Sequence, residues 1–183
     1  MIQKANLEKT IEIYKFMEED FPKSEIPDYE NFLKLTERNI HNVYVYKENE
    51  QDIAYFITME KDEKVLITHL AVIKNYRGKR FIEEIKDFLS NKRVIILEVE
   101  SEKNAKNEQE LAIIEKRLRY YYNAGFKKCE GIEYRLFNMD YYILTYSKLD
   151  KKISNEELKQ TIENIYDGLF PKKNLIINME EDI

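Results

Sequence analysis

The spacing of apolar residues along the chain alternates between a helical period and a strand period. Apolar positions three to four residues apart predict five helices, at 7–19, 29–40, 81–89, 111–122 and 155–167. Short apolar or alternating runs predict seven strands, at 2–5, 43–46, 53–59, 65–73, 94–99, 126–134 and 141–146. Early meandering strands and a central β-α-β unit are typical of an α+β fold, a mixed α/β arrangement in three layers.

The length and composition indicate one folded domain. The chain has 183 residues, of which 43% are hydrophobic and 13% aromatic, and this composition excludes intrinsic disorder. No repeat, low-complexity tract or linker marks a second domain. We therefore predict a single domain over 1–183, with a core over about 1–147 and a C-terminal helical extension over about 150–183.

The net charge and the cysteine content indicate which binding partners and which cellular compartment to expect. A net charge of −5 argues against nucleic-acid binding, which needs a basic surface. No apolar run approaches the ~18 residues of a membrane span, and the N-terminus lacks the apolar core of a signal peptide. The only cysteine, Cys129, has no second cysteine with which to form an internal disulfide. We expect a cytoplasmic protein that binds neither nucleic acid nor membrane.

A basic turn before the 81–89 helix is the first candidate for binding chemistry. Arg77, Lys79 and Arg80 place three cations at a helix N-terminus, where the helix dipole disfavours positive charge. An anion bound there would reverse that effect, since backbone N–H groups, the dipole and the basic side chains would all attract it. The alternative is a solvated basic turn. Gly78 lies in this turn and is one of only four glycines. A glycine in so glycine-poor a chain is expected where the backbone needs a positive φ or a close approach.

The segment 69–81, HLAVIKNYRGKRF, resembles motif A of the GNAT superfamily, the acyl-CoA N-acyltransferases. Arg77 occupies the first position of the motif, and the two family glycines fall on Arg80 and Ile82. The order of predicted elements also matches the family over residues 1 to about 147. The resemblance implies a GNAT-like central mixed sheet of about seven strands flanked by helices.

The same resemblance implies how acetyl-CoA would bind. The backbone of Leu70, Ala71 and Val72 would pair with the pantetheine arm. The pyrophosphate would lie on the turn that follows, formed by Arg77, Gly78, Lys79, Arg80, Phe81 and Ile82. At the two positions that depart from the family pattern, Arg80 either contacts phosphate directly or crowds it, and Ile82 narrows the passage beside the helix.

A second segment, 119–126 or RYYYNAGF, resembles the Phe-Tyr-x-x-x-Gly-Phe segment of the same family. Tyr121 lies four residues before Gly125, and the resemblance implies that it protonates the departing CoA thiolate. Gly125 also suits the C-terminal cap of the preceding helix. We expect Tyr120 and Tyr122 to have packing roles.

The segment 97–100, LEVE, at the end of the 94–99 strand carries two carboxylates. Glu98 and Glu100 alternate with apolar residues, so both point to one face. Burying a carboxylate is costly without a partner or a use. A similar Leu-Glu-Val strand carries the base in ribosomal-protein N-acetyltransferases, so the resemblance implies that Glu98 accepts the amine proton. The alternatives are Glu100 as the base, or a salt bridge from Glu98 to Arg117 or Arg119.

The remaining candidates favour ordinary structural roles. We expect His69 to be packed and Cys129 to be a strand cysteine, and two histidines with one cysteine give no metal-ligand spacing. The loops at 22–30 and 101–110 are expected to border the acceptor site, and the polar part at 101–108 to be mobile. The tyrosine-rich strand at 141–146 is either the edge of a homodimer or covered by the last helix.

The resemblance implies an N-acetyltransferase that uses acetyl-CoA, and the residue spacing predicts no metal site. The acetyl group would pass by direct attack to a primary amine of a small molecule or peptide. The acidic net charge favours a cationic amine. The alternative is a non-catalytic member of the same fold that binds CoA or acts as a sensor.

Overall fold

A computed structural model describes residues 1–73, 81–148 and 152–179 of the chain, which form five α-helices and nine β-strands. The helices are α1 Leu7–Asp20, α2 Tyr29–Glu37, α3 Phe81–Phe88, α4 Glu108–Asn123 and α5 Asn155–Tyr166. The strands are β1 Ile2–Lys4, β2 Asn42–Glu48, β3 Gln51–Lys61, β4 Lys64–Val72, β5 Val94–Glu100, β6 Lys127–Lys128, β7 Ile132–Leu136, β8 Met139–Tyr146 and β9 Leu175–Met179. This is the α+β class with a mixed sheet, as predicted. None of the described helices is long and apolar enough to cross a membrane.

Two features of the C-terminal half differ from the sequence prediction. The strand expected over 126–134 is divided into β6 and β7 by a turn in which Gly131 has a φ of +72°. Asn155 fastens this turn by donating from its side-chain amide to the Glu130 carbonyl at 2.9 Å. The C-terminal extension, expected to be helical, also contains the strand β9.

The chain divides into two compact units, and the first comprises Met1–Glu60 with Ile67–Phe88. Its strands follow the order β1-β2-β3-β4, and β2 pairs antiparallel with both β1 and β3. Helices α1 and α2 begin at capping residues: the side chains of Asn6 and Asp28 accept hydrogen bonds from the N–H groups of Lys9 and Asn31. The core of this unit joins both helices to β2 and β3 through Ile13, Met17, Phe32, Val43, Val45, Tyr55 and Ile57.

The second unit comprises Lys61–Leu66 and the chain from Leu89 onward. Its strands follow the order β5-β8-β7-β9, all antiparallel, with β6 also paired to β8. Strand β8 therefore has a partner strand on each side, so the tyrosine-rich segment at 141–146 is not a sheet edge. The register places Glu98 opposite Ile143, and Tyr134 opposite both Tyr141 and Ile177.

The end of α4 is closed by the glycine that the sequence indicated. The Gly125 N–H donates to the Tyr122 carbonyl and the Phe126 N–H to the Tyr121 carbonyl, the two bonds of a Schellman motif. Gly125 has a φ of +86°, in the left-handed region. The Phe126 ring also packs against the Tyr121 ring, with centroids 6.0 Å apart. This cap therefore fixes both the backbone and the ring of Tyr121.

We expect Gly125→Ala to lower the free energy of unfolding by about 1–2 kcal/mol, because an alanine is strained at this φ. A Cβ at position 125 would lie 3.7 Å from the nearest Tyr146 ring carbon, an ordinary contact, so crowding should add little. Gly168→Ala is the control: its φ is +73° and nothing lies within 4 Å of its Cβ. Urea unfolding should show similar losses for both variants, and an unchanged midpoint for Gly125→Ala would contradict the cap.

Candidate active site

The carboxylate of Glu98 lies between two tyrosine hydroxyls. The Tyr166 hydroxyl is 3.0 Å from Oε1 of Glu98 and 2.8 Å from Oε2, and it donates to the carboxylate. The Tyr134 hydroxyl donates to Oε1. Tyr134 is only 3% exposed and Tyr166 only 8% exposed. The carboxylate of Glu98 on β5 thus accepts hydrogen bonds from two buried tyrosines.

This arrangement follows from strand alternation and from the buried face of one helix. Leu97 and Val99 are buried on one side of β5, and alternation turns Glu98 to the other side. Tyr134 comes from β7, two strands away from β5 across β8. Tyr166 is the last residue of α5, whose buried stripe consists of Leu158, Thr161, Ile162, Ile165 and Tyr166.

Burial and hydrogen bonding act in opposite directions on Glu98. Removal from water raises the pKa of its carboxyl to about 7, although the hydrogen bonds from Tyr134 and Tyr166 favour the ionised form. Burial also raises the pKa of both tyrosines well above the ordinary range, so both hydroxyls stay protonated and donate. A carboxyl with a pKa near 7 is suited to accept a proton at neutral pH.

Neither arginine proposed from the sequence pairs with Glu98. Nη1 of Arg117 lies 3.6 Å from Oε2 of Glu100, the other carboxylate of β5. Arg119 instead forms an ion pair with Glu115, one turn earlier on α4, at 3.6 Å. The two carboxylates of β5 therefore have different environments: an arginine beside Glu100 and two neutral hydroxyls beside Glu98.

Tyr121 is buried near the C-terminal end of α4. Burial raises the pKa of its hydroxyl to about 12, against the smaller opposing effect of Arg117. Among the described residues, its hydroxyl has no hydrogen-bond partner. Tyr120 packs against it with ring centroids 5.4 Å apart, as expected. Tyr122 is 41% exposed, so the packing role expected for it is wrong.

The candidate CoA-binding residues belong to the first unit. Leu70, Ala71 and Val72 are half-buried at the end of β4. Val72 packs on a cluster that contains Phe81, the first residue of α3, and Ile82 beside it is 1% exposed. Arg77, Gly78, Lys79 and Arg80, which the resemblance assigns to the pyrophosphate, lie outside the described residues.

His69 has the packed role that was expected. Its Nε2 lies 2.9 Å from the Glu25 carbonyl, its Nδ1 lies 3.1 Å from Oγ1 of Thr68, and its ring contacts Phe21 edge-on. Burial lowers the pKa of His69, so the ring is neutral at pH 7.

Neither the cysteine nor any acidic cluster indicates other chemistry. Burial raises the pKa of Cys129, which disfavours a reactive thiolate, and its Sγ lies 3.6 Å from Oγ1 of Thr145. No group of three metal-ligating side chains occurs within residues 1–73, 81–148 and 152–179.

The segment at 101–108, which was expected to be mobile, is partly held in place by hydrogen bonds. Glu102–Asn104 form a short 3₁₀ turn. The Asn104 side chain both donates to the Asp140 carbonyl at 2.7 Å and accepts from the Asp140 N–H at 3.1 Å. The Ser101 N–H donates to the same carbonyl at 3.0 Å. These bonds tie the chain that follows Glu98 to the start of β8.

Sequence reasoning missed Tyr134 and Tyr166. They lie 36 and 68 residues from Glu98, and no local motif connects either of them to that strand. The one available signal was the apolar stripe of the last helix, which extends to Tyr166 and predicts that this tyrosine is buried. That Tyr166 contacts Glu98 on β5 depends on tertiary structure alone, and no local pattern could have predicted it.

Replacing the buried carboxyl should change how stability depends on pH. The folded-state pKa of Glu98 is about 7 against an ordinary 4.5, so between these values the folded state binds more protons than the unfolded state. Stability from this group therefore falls as pH rises from about 4.5 to about 7. Glu98→Gln removes this loss, and its stability relative to the unsubstituted chain should rise by about 1–3 kcal/mol over that window.

Denaturant unfolding at pH 4.5, 6 and 7.5 measures this difference. Glu100→Gln, on the same strand and face, is the matched control and should leave the slope due to Glu98 in place. A stability difference between Glu98→Gln and the unsubstituted chain that does not change with pH would show that Glu98 titrates normally.

Comparison with known proteins gives matches only at the level of structure. No protein-family model and no curated protein matches the sequence. A protein from Bacteroides thetaiotaomicron assigned to the GNAT acetyltransferases superposes with a TM-score of 0.73 at 22% identity, over 93% of this chain and 98% of that one.

Two further solved structures are similar over most of the chain. The ribosomal-protein-S18-alanine N-acetyltransferase from Escherichia coli gives a TM-score of 0.55 at 16% identity, over 84% of this chain and 99% of that one. NAA60 from Arabidopsis thaliana, solved in complex with acetyl-CoA, gives a TM-score of 0.57 at 15% identity, over 81% of this chain and 98% of that one. The fold of this chain is therefore that of the GNAT acetyltransferases, as the sequence resemblance implied.

Proposed function

We propose that the protein is an N-acetyltransferase that transfers the acetyl group of acetyl-CoA to a primary amine. The observation that carries this proposal is Glu98, a half-buried residue whose carboxyl accepts hydrogen bonds from two tyrosines and has a pKa of about 7, in a chain with the GNAT acetyltransferase fold. An amine with a lysine-like pKa of ~10.4 is protonated at neutral pH and cannot attack a carbonyl. A base with a pKa near 7 meets this requirement.

The proposed reaction divides the proton transfers between Glu98 and Tyr121. Glu98 takes a proton from the ammonium group and leaves a neutral amine. The amine nitrogen attacks the thioester carbonyl carbon, so that a C–N bond forms and the C–S bond breaks. Tyr121 gives its proton to the sulfur, and the proton lost by the new amide nitrogen returns to Tyr121 through solvent. The products are an acetamide, free CoA thiol and one released proton.

The raised pKa of Tyr121 supports this division. At about 12, the hydroxyl is protonated throughout the physiological range and can donate to a thiolate. Its lack of a protein partner among the described residues leaves that donor for a ligand. Glu100 is the weaker candidate for the base, because Arg117 lies beside its carboxylate.

The described part of the candidate CoA-binding segment is compatible with binding of acetyl-CoA. The buried side chains of Phe81 and Ile82 point into the protein, so neither occupies the solvent side of the helix start. The N-terminus of α3 follows three basic residues in the sequence, Arg77, Lys79 and Arg80, and this combination favours a phosphate group. We propose that Leu70, Ala71 and Val72 pair with the pantetheine arm through their backbone.

A second candidate function is a non-catalytic CoA-binding or sensor protein. One observation favours it: both oxygens of Glu98 already accept hydrogen bonds from tyrosines, as they would in a purely structural cluster. In either case the net charge of −5 favours a cationic ligand on the acceptor side.

Incubation of the full chain with acetyl-CoA and a panel of amines separates the two functions. The panel should include a polyamine, an aminoglycoside and a peptide with a free N-terminus, and the readouts are thiol release and the acetylated product by mass spectrometry. Thiol release that depends on one amine class supports the transferase. CoA binding by calorimetry without transfer to any amine supports the sensor, and the absence of both would overturn both proposals.

We expect Tyr121→Phe to lower kcat by ~10²–10⁴, the usual contribution of a general acid, with little change in CoA affinity. The ring and its packing on Phe126 are retained, so the fold should be unaffected. Tyr122→Phe is the matched control, since it removes an exposed hydroxyl from the next position of the same helix. Near-normal turnover of Tyr121→Phe at neutral pH would rule out the general-acid role.

A further inference from the structure

We propose that Tyr134 and Tyr166 are positioning residues for Glu98, and that the C-terminal segment 152–179 thereby completes the active site. The inference rests on the proposed function, in which Glu98 accepts the amine proton. The core of the fold, over residues 1 to about 147, supplies only one of the two hydroxyls that bind Glu98. The segment contributes one of the two hydroxyls and braces the strand that carries the other.

The two hydroxyls leave part of the Glu98 carboxylate available to accept a proton. An ionised carboxylate has about four lone-pair sites. Tyr134 donates to Oε1, and the single proton of the Tyr166 hydroxyl is shared between Oε2 at 2.8 Å and Oε1 at 3.0 Å. Two hydroxyl protons therefore satisfy about two of the four sites, and the described residues leave the others open to receive the amine proton.

Helix α5 is anchored at the end opposite Tyr166. Ser154 caps the helix by accepting from the Glu157 N–H at 3.1 Å. Arg93, just before β5, donates to both carboxylate oxygens of Glu157, at 2.7 and 3.2 Å, and Lys64 lies 3.1 Å from the same carboxylate. These contacts tie the start of α5 to the chain segments on which β4 and β5 begin.

Strand β9 braces Tyr134 from the other side. It pairs antiparallel with β7, and Ile177 lies opposite Tyr134 in the register. Between α5 and β9, the ring of Phe170 packs against Tyr166 with centroids 5.1 Å apart, and against Phe137 at 4.8 Å. One continuous segment therefore contains Tyr166 and also pairs with the strand that carries Tyr134.

The hydroxyls are the polar groups that act directly on Glu98. From α4, Arg117 is directed to Glu100, two residues farther along β5. From β8, Tyr141 lies close enough to both tyrosines to raise their pKa values further. Apart from burial, the interactions that set the ionisation of Glu98 are the bonds from Tyr134 and Tyr166, and both favour the charged form.

The test is Tyr166→Phe in the full chain, with two readouts. The first is the pKa of Glu98, from the carboxyl carbon signal of ¹³C-labelled glutamate, assigned by its loss in Glu98→Gln. The second is the pH dependence of kcat/KM. A hydrogen bond to a charged group is worth one to two pK units. We expect the pKa of Glu98 and the acidic limb of the profile to move upward together by about that amount.

Two further variants make the result specific. Tyr134→Phe should raise both readouts in the same direction, which keeps the test intact if Tyr166→Phe unfolds. Tyr55→Phe is the matched control: Tyr55 is fully buried and donates to the Asp20 carboxylate at 3.0 Å, but it belongs to the first unit and is not among the groups that shift the pKa of Glu98. It should leave the pKa of Glu98 in place.

The outcomes distinguish this proposal from the proposed function. A Glu98 signal that titrates unchanged in both tyrosine variants would overturn the positioning role. If the pKa rises but the kcat/KM profile stays in place, then Glu98 is not the base and the proposal fails as a statement about catalysis. If the pKa rises and the unsubstituted chain transfers no acetyl group, the hydroxyls hold Glu98 as described while the transferase proposal is lost.

Discussion

In the second unit, the carboxylate of Glu98 depends on hydrogen-bond donors from elements distant in sequence. An ionised carboxylate removed from water costs several kcal/mol unless donors replace the lost hydration. Glu98 obtains its donors from β7 and from α5, elements that are distant from it in sequence. The order β5-β8-β7 places Tyr134 within reach of Glu98, and the start of α5 is fixed by the pairing of Glu157 with Arg93. The ionisation of Glu98 therefore depends on how β7 and α5 are placed in this unit.

Burial has opposite chemical consequences for the two candidate catalytic groups. It raises the pKa of Glu98 from an ordinary 4.5 to about 7, where a carboxyl gains and loses a proton at physiological pH. It raises the pKa of Tyr121 to about 12, which keeps that hydroxyl protonated. The same desolvation thus gives one group that can accept a proton and one that can donate, although the charge of Arg117 opposes part of the effect at Tyr121.

What the sequence could predict depends on how local the signal is. Periodicity gave the five helices, and the glycine at position 125 gave the cap of α4, because both depend on neighbouring residues. The division into β6 and β7 was missed, because a single glycine inside a strand pattern, here Gly131, indicates a bulge as readily as a turn. The placement of Glu98 on a central strand was accessible from alternation. Its tyrosine partners were not, because strand order and the docking of α5 bring them together.

The free-energy cost of an ionised Glu98 in the folded protein is relevant to whether this residue has a functional role. At neutral pH the ionised carboxyl lowers stability relative to a protonated or amide side chain, and the two hydroxyls offset only part of that loss, since its pKa stays near 7. A cluster that served packing alone would be better satisfied by a neutral residue, or by a carboxyl with enough donors to hold its pKa low. Glu98 has neither arrangement. A carboxyl whose pKa is raised to about 7 can exchange a proton near neutral pH, and this is the physical argument for the proposed role of Glu98 in proton transfer.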